Sequence, residues 1–217
     1  MKLSPFLTSR IIVAVVFAIV LFFVLKHFKK LKVLDFLAYI SIFFAISAFV
    51  PAESLFSGFE NPISVLNYQV AKPATDVLET DGFAAVFYKK NESAVGIFQT
   101  PKRGDLYRLP LIFNNSARFV ELPGYDYPSL SVYISHVGSS DKALLIIVEY
   151  DALEDGDLYT FTDSRNSEFK QLPKRKVGDE LTPLVIAIHY AEVDANDKDF
   201  TLFINNRETL KNIKILP

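Results

Sequence analysis

With no cysteine among 217 residues, the chemistry open to this chain rests on three histidines, its acidic loops and its aromatic side chains. Absent thiols exclude thiolate zinc sites, cysteine nucleophiles, disulfides and lipid-modified cysteines. His27 stands among lysines, while His136 and His189 end strand-like runs, with no HxH or HExxH spacing around any of them. Such histidines bond locally unless partners converge on them. No GxSxG elbow and no GxGxxG or GxxxxGK phosphate loop occurs. The acidic loops are richer in donor oxygens. Asp151, Glu154, Asp155 and Asp157 fall in DALEDGD; Asp194, Asn196, Asp197 and Asp199 fall in DANDKD. A hard cation such as Ca²⁺ takes several oxygens from a sharply turning loop, which both could supply. Neither obeys EF-hand spacing, since Lys198 takes the fifth position of the second. Solvated turns are the plainer reading, so no metal or cofactor is expected.

Two further features suit recognition rather than catalysis. Tyr125 and Tyr127 share the short stretch YDYP, where rings stack on sugars, anchor a protein partner, or cap the core. Lys174, Arg175 and Lys176 form a basic run that, with Lys102 and Arg103, either meets phosphate headgroups and envelope polyanions or is a solvated turn.

The elements that position these residues divide the chain in two. Half of the residues are hydrophobic and 22% are charged; the mean hydropathy of +0.23 excludes disorder. Residues 11–25 read IIVAVVFAIVLFFVL, an apolar run too short by itself for the ~30 Å hydrocarbon core. Extension through Phe6 and Leu7, with Arg10 snorkelling to the headgroups, closes the gap. Residues 33–50, VLDFLAYISIFFAISAFV, form a second run that ends at Pro51. Lysines after the first run argue against a signal peptide there, although Val50-Pro51-Ala52 weakly matches a cleavage site. The expectation is a transmembrane α-helical hairpin over 1–50, with helices at about 6–25 and 33–50 and a turn at 26–32. Lys26, Lys29, Lys30 and Lys32 mark that turn as cytoplasmic, and no Lys or Arg follows the second run until Lys72. Both chain ends are thereby expected outside the cytoplasm, in a cell membrane and, from the cysteine-free outer part, in a bacterial envelope.

Six of the 23 basic residues and one of the 25 acidic residues lie in 1–50, leaving 17 basic and 24 acidic, a net of −7, for 51–217. An acidic outer part excludes nucleic acid as a partner. Residues 51–80 read as a juxtamembrane connector with a short interfacial helix or irregular stalk. From 81 to 217 the pattern is short aromatic and β-branched runs between turn residues. FAAVFYKK and AVGIFQT pair as a hairpin, and LSVYISH alternates as a half-buried strand. KALLIIVEY and PLVIAIHY have continuous apolar middles, the mark of central strands covered on both faces. Nine or ten such strands predict an antiparallel β-sandwich or barrel.

Within it, the segment from Gly178 through LVIAIHY to DFTLFINN resembles the strand–acidic loop–strand portion of concanavalin-type lectin jelly rolls, over some thirty residues. It lacks the usual tryptophan before the first strand, and Asn206 stands where glycine is common. The resemblance implies a jelly-roll-like sandwich and nothing about ligands. The expected function is a membrane-anchored, non-enzymatic binding module that contacts a protein partner or an envelope glycan. Alternatives are an accessory subunit that packs through its helix hairpin and, third, an envelope hydrolase.

Overall fold

A computed structural model describes residues 5–27, 36–43, 58–91, 94–110, 116–122, 127–137, 140–177, 184–213 and 215. Helix α1 (Pro5–His27) is one uninterrupted helix, about 35 Å long at 1.5 Å per residue. It is long and apolar enough to cross a membrane, and almost none of its apolar surface is covered. Its first turns are the exception, because Phe6 and Arg10 are buried. Of the second expected span, residues 36–43 are helical; the rest, with Lys29, Lys30 and Lys32 of the turn, lies outside the described residues. One span is therefore described where two were expected.

The remainder is mostly β, and every strand pairing is antiparallel. Helix α2 (Pro62–Gln69) begins with Pro62 in its first turn, capped by Asn61, whose side chain accepts from the Ile63 amide at 2.8 Å. Sheet I is a meander of β1 (Ala74–Glu79), β2 (Phe83–Lys89), β3 (Val95–Arg103) and β4 (Leu106–Tyr107). Sheet II runs in the order β10 (Arg175–Val177), β11 (Leu184–Asp194), β7 (Lys142–Tyr150), β6 (Leu130–Ser135), β5 (Arg118–Val120). The short β9 (Lys170–Gln171) also pairs with β11. Sheet III is β13 (Arg207–Ile213), β12 (Phe200–Ile204) and β8 (Phe161–Asp163). The segment 51–80, expected as a connector, thus contributes α2 and β1 to the packed fold in its described part.

Alternation along the central strands explains the layers. Leu145 and Ile147 on β7, with Ala191 and Val193 on β11, pack against Phe200, Leu202 and Ile204 of sheet III. The residues between them, Leu144, Ile146, Val148, Ile186 and Ile188, pack against Phe83, Ala85 and Phe87 of sheet I. The back of sheet I is closed by Val65 and Leu66 of α2, both fully buried. Sheet II is accordingly covered on both faces, as the continuous apolar runs of β7 and β11 require. Three sheets stack where a sandwich has two.

Sheets I and II are joined on one side and open on the other. A bridge between Phe98 and Ser116, with the Ala117 amide donating to the Ile97 carbonyl at 3.4 Å, carries β3 into β5. Across the other side, β1 faces β9, β10 and β11 without a ladder, and a seam runs between the two sheets. Arg175 crosses it. Its Nη2 donates to the Thr75 carbonyl and to Asp76 Oδ1, the latter at 2.6 Å.

Candidate functional site

His189 is brought against other ionisable side chains. It sits on β11 two residues past Ala187, which pairs with Glu149 on β7, so the two side chains are diagonal neighbours on the face turned to sheet III. Both are buried, Glu149 at 1% and His189 at 5% exposure. His189 Nε2 lies 3.4 Å from Glu149 Oε2 and 3.3 Å from Gln171 Nε2, whose amide also donates to Asp157 Oδ1 at 3.0 Å. Phe161 lies against the imidazole with ring centroids 4.7 Å apart.

Burial raises the Glu149 carboxyl above its ordinary range, opposed in part by Lys174. Burial lowers His189, opposed in part by Asp157. Both shifts favour neutral forms. Asp157 is lowered, first by the hydrogen bond from Gln171 and then by Lys174. Gln171 donates an amide hydrogen to Asp157, and both Gln171 Nε2 and Glu149 Oε2 approach His189 Nε2, whose single lone pair in the neutral ring takes one donor. Glu149 Oε1 is buried with no hydrogen-bond partner.

The first acidic loop holds a cation of its own. Lys174 Nζ donates to the Leu153 carbonyl at 3.0 Å and to the Gly156 carbonyl, and pairs with Asp157 Oδ1 at 3.3 Å. An ammonium stands among the acidic residues Asp151, Asp155 and Asp157 that were weighed as Ca²⁺ candidates; of the three, Asp157 pairs with it. In the second loop Arg165 grips Asp197 with two bonds of 2.6 and 2.9 Å. Asp194 Oδ1 accepts from the Asn196 amide, and Asp197 from the Asp199 amide, so Asp194, Asn196 and Asp199 serve the turn. Among the described residues no group of three or more His, Asp or Glu is arranged to hold a metal.

The basic run is likewise answered internally. Lys174 pairs with Asp157, Arg175 with Asp76 at 2.6 Å, and Lys176 with Glu154 at 2.8 Å. Tyr127 packs partly buried on the core between sheets II and III, edge-on to Tyr159 at 5.9 Å. Tyr125 lies outside the described residues. His136 bonds locally to the Ser140 carbonyl at 2.8 Å.

The open concavity lies on the opposite face of sheet II, in the seam. Ile186 and Ile188 form its floor with Val95 and Val177, Tyr88 forms a wall, and Lys89, Arg175 and Lys176 stand at the rim of a cleft of ≈ 330 Å³. The Tyr88 ring lies flat over Gly96, its cross-strand partner, where a Cβ would come within 2.3 Å. Burial raises the Tyr88 hydroxyl pKa. Farther along the seam a second cleft of ≈ 440 Å³ is lined by Glu79, Glu168, Lys170 and Glu192. Its Glu79 accepts from the Tyr107 hydroxyl at 2.6 Å.

Arg175 and Lys176 were thus legible as candidates, whereas Tyr88, Lys89 and Glu149 were missed. Glu149 did leave a signal, as the one carboxylate on the apolar face of KALLIIVEY. The chain matches no protein-family model, no curated protein and no solved structure at a significant level.

Proposed function

We propose that this chain is a membrane-anchored, extracytoplasmic binding module without catalytic activity, and that the cationic seam cleft is its binding surface. The observation that carries the reading is the contrast between that open cleft and the Glu149–His189 pair. The Glu149–His189 pair is buried, at 1% and 5% exposure, away from any substrate in the open cleft. The open cleft offers an apolar floor and fixed charge, which suits binding.

The anchoring part rests on how α1 meets the β fold. Phe6 packs edge-on to Tyr68 of α2 at 6.0 Å, and the Ser9 and Tyr68 hydroxyls are 3.1 Å apart. The β fold is therefore docked at the N-terminal end of α1, with Lys26 and His27 at the far end. A returning second span agrees with this. Phe17 stacks on Phe43 at 3.9 Å and Phe22 meets Phe36 at 6.4 Å, the order of an antiparallel pair. Basic residues at the turn then put the β fold outside the cytoplasm. Protease added to intact cells is expected to cut the β fold; complete protection until lysis overturns the orientation. Turnover of a hydrolase substrate panel by the purified chain overturns the non-enzymatic reading.

A second reading, an accessory subunit of a membrane complex, is favoured by one feature. An apolar groove along α1, lined by Ile12, Val13, Val16, Phe17, Val20 and Phe43, is shaped to take a partner helix. Recovery of no partner on affinity capture of the full chain from detergent-solubilised membranes removes that reading.

A further inference from the structure

We infer that the seam cleft takes a single anionic acyl lipid, its chain on the Ile186–Ile188 floor and its acidic headgroup at the Lys89–Lys176 rim. The inference rests on the binding-module reading above and names the ligand class of that same cleft.

Three observations converge on it. First, the floor is continuous with the apolar layer between sheets I and II, because Ile186, Ile188, Val95 and Val177 all belong to that layer. An acyl chain extends an existing hydrophobic core there, at about 25 cal/mol per Å² of apolar surface removed from water. A cleft of ≈ 330 Å³ is at the small end of the ~300–1,000 Å³ of small-molecule sites, enough for part of one chain.

Second, the rim is cationic within an outer region whose net charge is −7. Lys89 and Lys176 are exposed at the mouth. Two carboxylates oppose them, Asp76 on Arg175 and Glu154 on Lys176. The Lys176–Glu154 pair is more than 60% exposed on both sides, so an incoming anion competes for that lysine at little cost. Arg175 Nε and Asp76 Oδ2 are both buried without a hydrogen-bond partner, so this pair closes the seam and leaves the exposed Lys89 and Lys176 to meet a ligand oxygen.

Third, the cleft is near the anchoring helix. Lys72 follows Tyr68, the α2 residue that touches Phe6 and Ser9 of α1, by four positions. A neutral or cationic amphiphile satisfies the floor and leaves the rim unanswered, so headgroup charge sets the selectivity.

The test uses the full chain in phosphatidylcholine nanodiscs with a diazirine-bearing fatty acid, irradiated and mapped by mass spectrometry. Labelling is expected within 88–91, 94–95, 173–177 and 184–188. An excess of decanoate or of lysophosphatidylglycerol should compete for it. Competition by decanoate alone identifies the free acid as the source, and by lysophosphatidylglycerol alone the lipid phosphate; either supports the inference. The double variant Lys89→Glu, Lys176→Glu is expected to lose labelling at least tenfold, and Ala94→Trp to abolish it by filling the cleft. Lys211→Glu, on the remote β13, should label as the parent does. Equal labelling by the alkylamine analogue, or labelling confined to 5–27 and 36–43, overturns the inference. Undiminished labelling in Ala94→Trp, with circular dichroism showing it folded, does the same. Orientation is read by protease on intact cells, so a failed topology and a failed ligand are told apart.

Discussion

The two faces of sheet II are built from the same strands and end in opposite states. On β11, Ala187 and His189 turn toward sheet III, while Ile186 and Ile188 turn toward sheet I. On the sheet III side Lys174 fills the DALEDGD loop, and Glu149 and His189 are buried within 3.4 Å of each other. On the sheet I side the seam is unlaced along β1 except at Arg175, and its two clefts differ in charge, one basic and one rich in glutamate. A polar group sealed from water must be satisfied internally. A group at an open seam is free to be satisfied by a visitor. The difference is the ground on which binding is proposed for the seam face.

Several changes break or sharpen that contrast. The largest effect is expected from Ile147→Ala, which empties an enclosed position between sheets II and III and should cost about 2–5 kcal/mol in denaturant unfolding. Ile188→Ala borders the open cleft, where water or ligand reoccupies the space, and should cost less; equal losses would erase the distinction between the faces. Next is Lys174→Ala. Asp157 and two loop carbonyls lose their common partner, a loss of about 1–3 kcal/mol, with faster amide exchange confined to 151–157. Unchanged exchange there contradicts the role given to the ammonium.

The pH dependence follows with a smaller amplitude. Because the folded pKa of Glu149 is raised above its ordinary 4.5, its contribution is complete below 4.5 and is lost as pH rises through the folded value. Glu149→Gln removes that slope, so the variant should gain on the parent as pH climbs above 4.5. His189 has a folded pKa below its ordinary 6.5, and its contribution is complete above 6.5 and is lost as pH falls. His189→Gln should gain on the parent below pH 6.5. Parallel stability curves from pH 4 to 8 would show that the pair is not titrating as a buried neutral pair. The smallest effect belongs to Lys176→Ala, whose exposed ion pair should matter by at most about 1 kcal/mol, although acyl-lipid labelling at the seam should fall.

Much of the scaffold was legible in the sequence because its signals are local. An unbroken apolar run gave α1, period-two alternation gave β6, and the apolar middles of β7 and β11 announced burial on both faces. The number of sheets was not legible, since nothing local says which strands cover a central one. Glu149 and His189 are forty positions apart and meet only through the β7–β11 register. Lys174 read as a solvated cation because its partners, Leu153, Gly156 and Asp157, lie at least seventeen positions earlier in the chain. Tyr88 and Lys89 were read only as part of a hairpin strand, and their role at the rim depends on β10 approaching from another sheet.

Orientation underlies the whole account, and the absence of cysteine makes it directly measurable. Asp155→Cys, in the exposed loop over the buried pair, and Lys26→Cys, at the far end of α1, each supply a single thiol. With a membrane-impermeant maleimide on intact cells, Asp155→Cys should label fully and Lys26→Cys only after permeabilisation. The reverse pattern, or labelling of both thiols before permeabilisation, would contradict an outward-facing module on a membrane anchor.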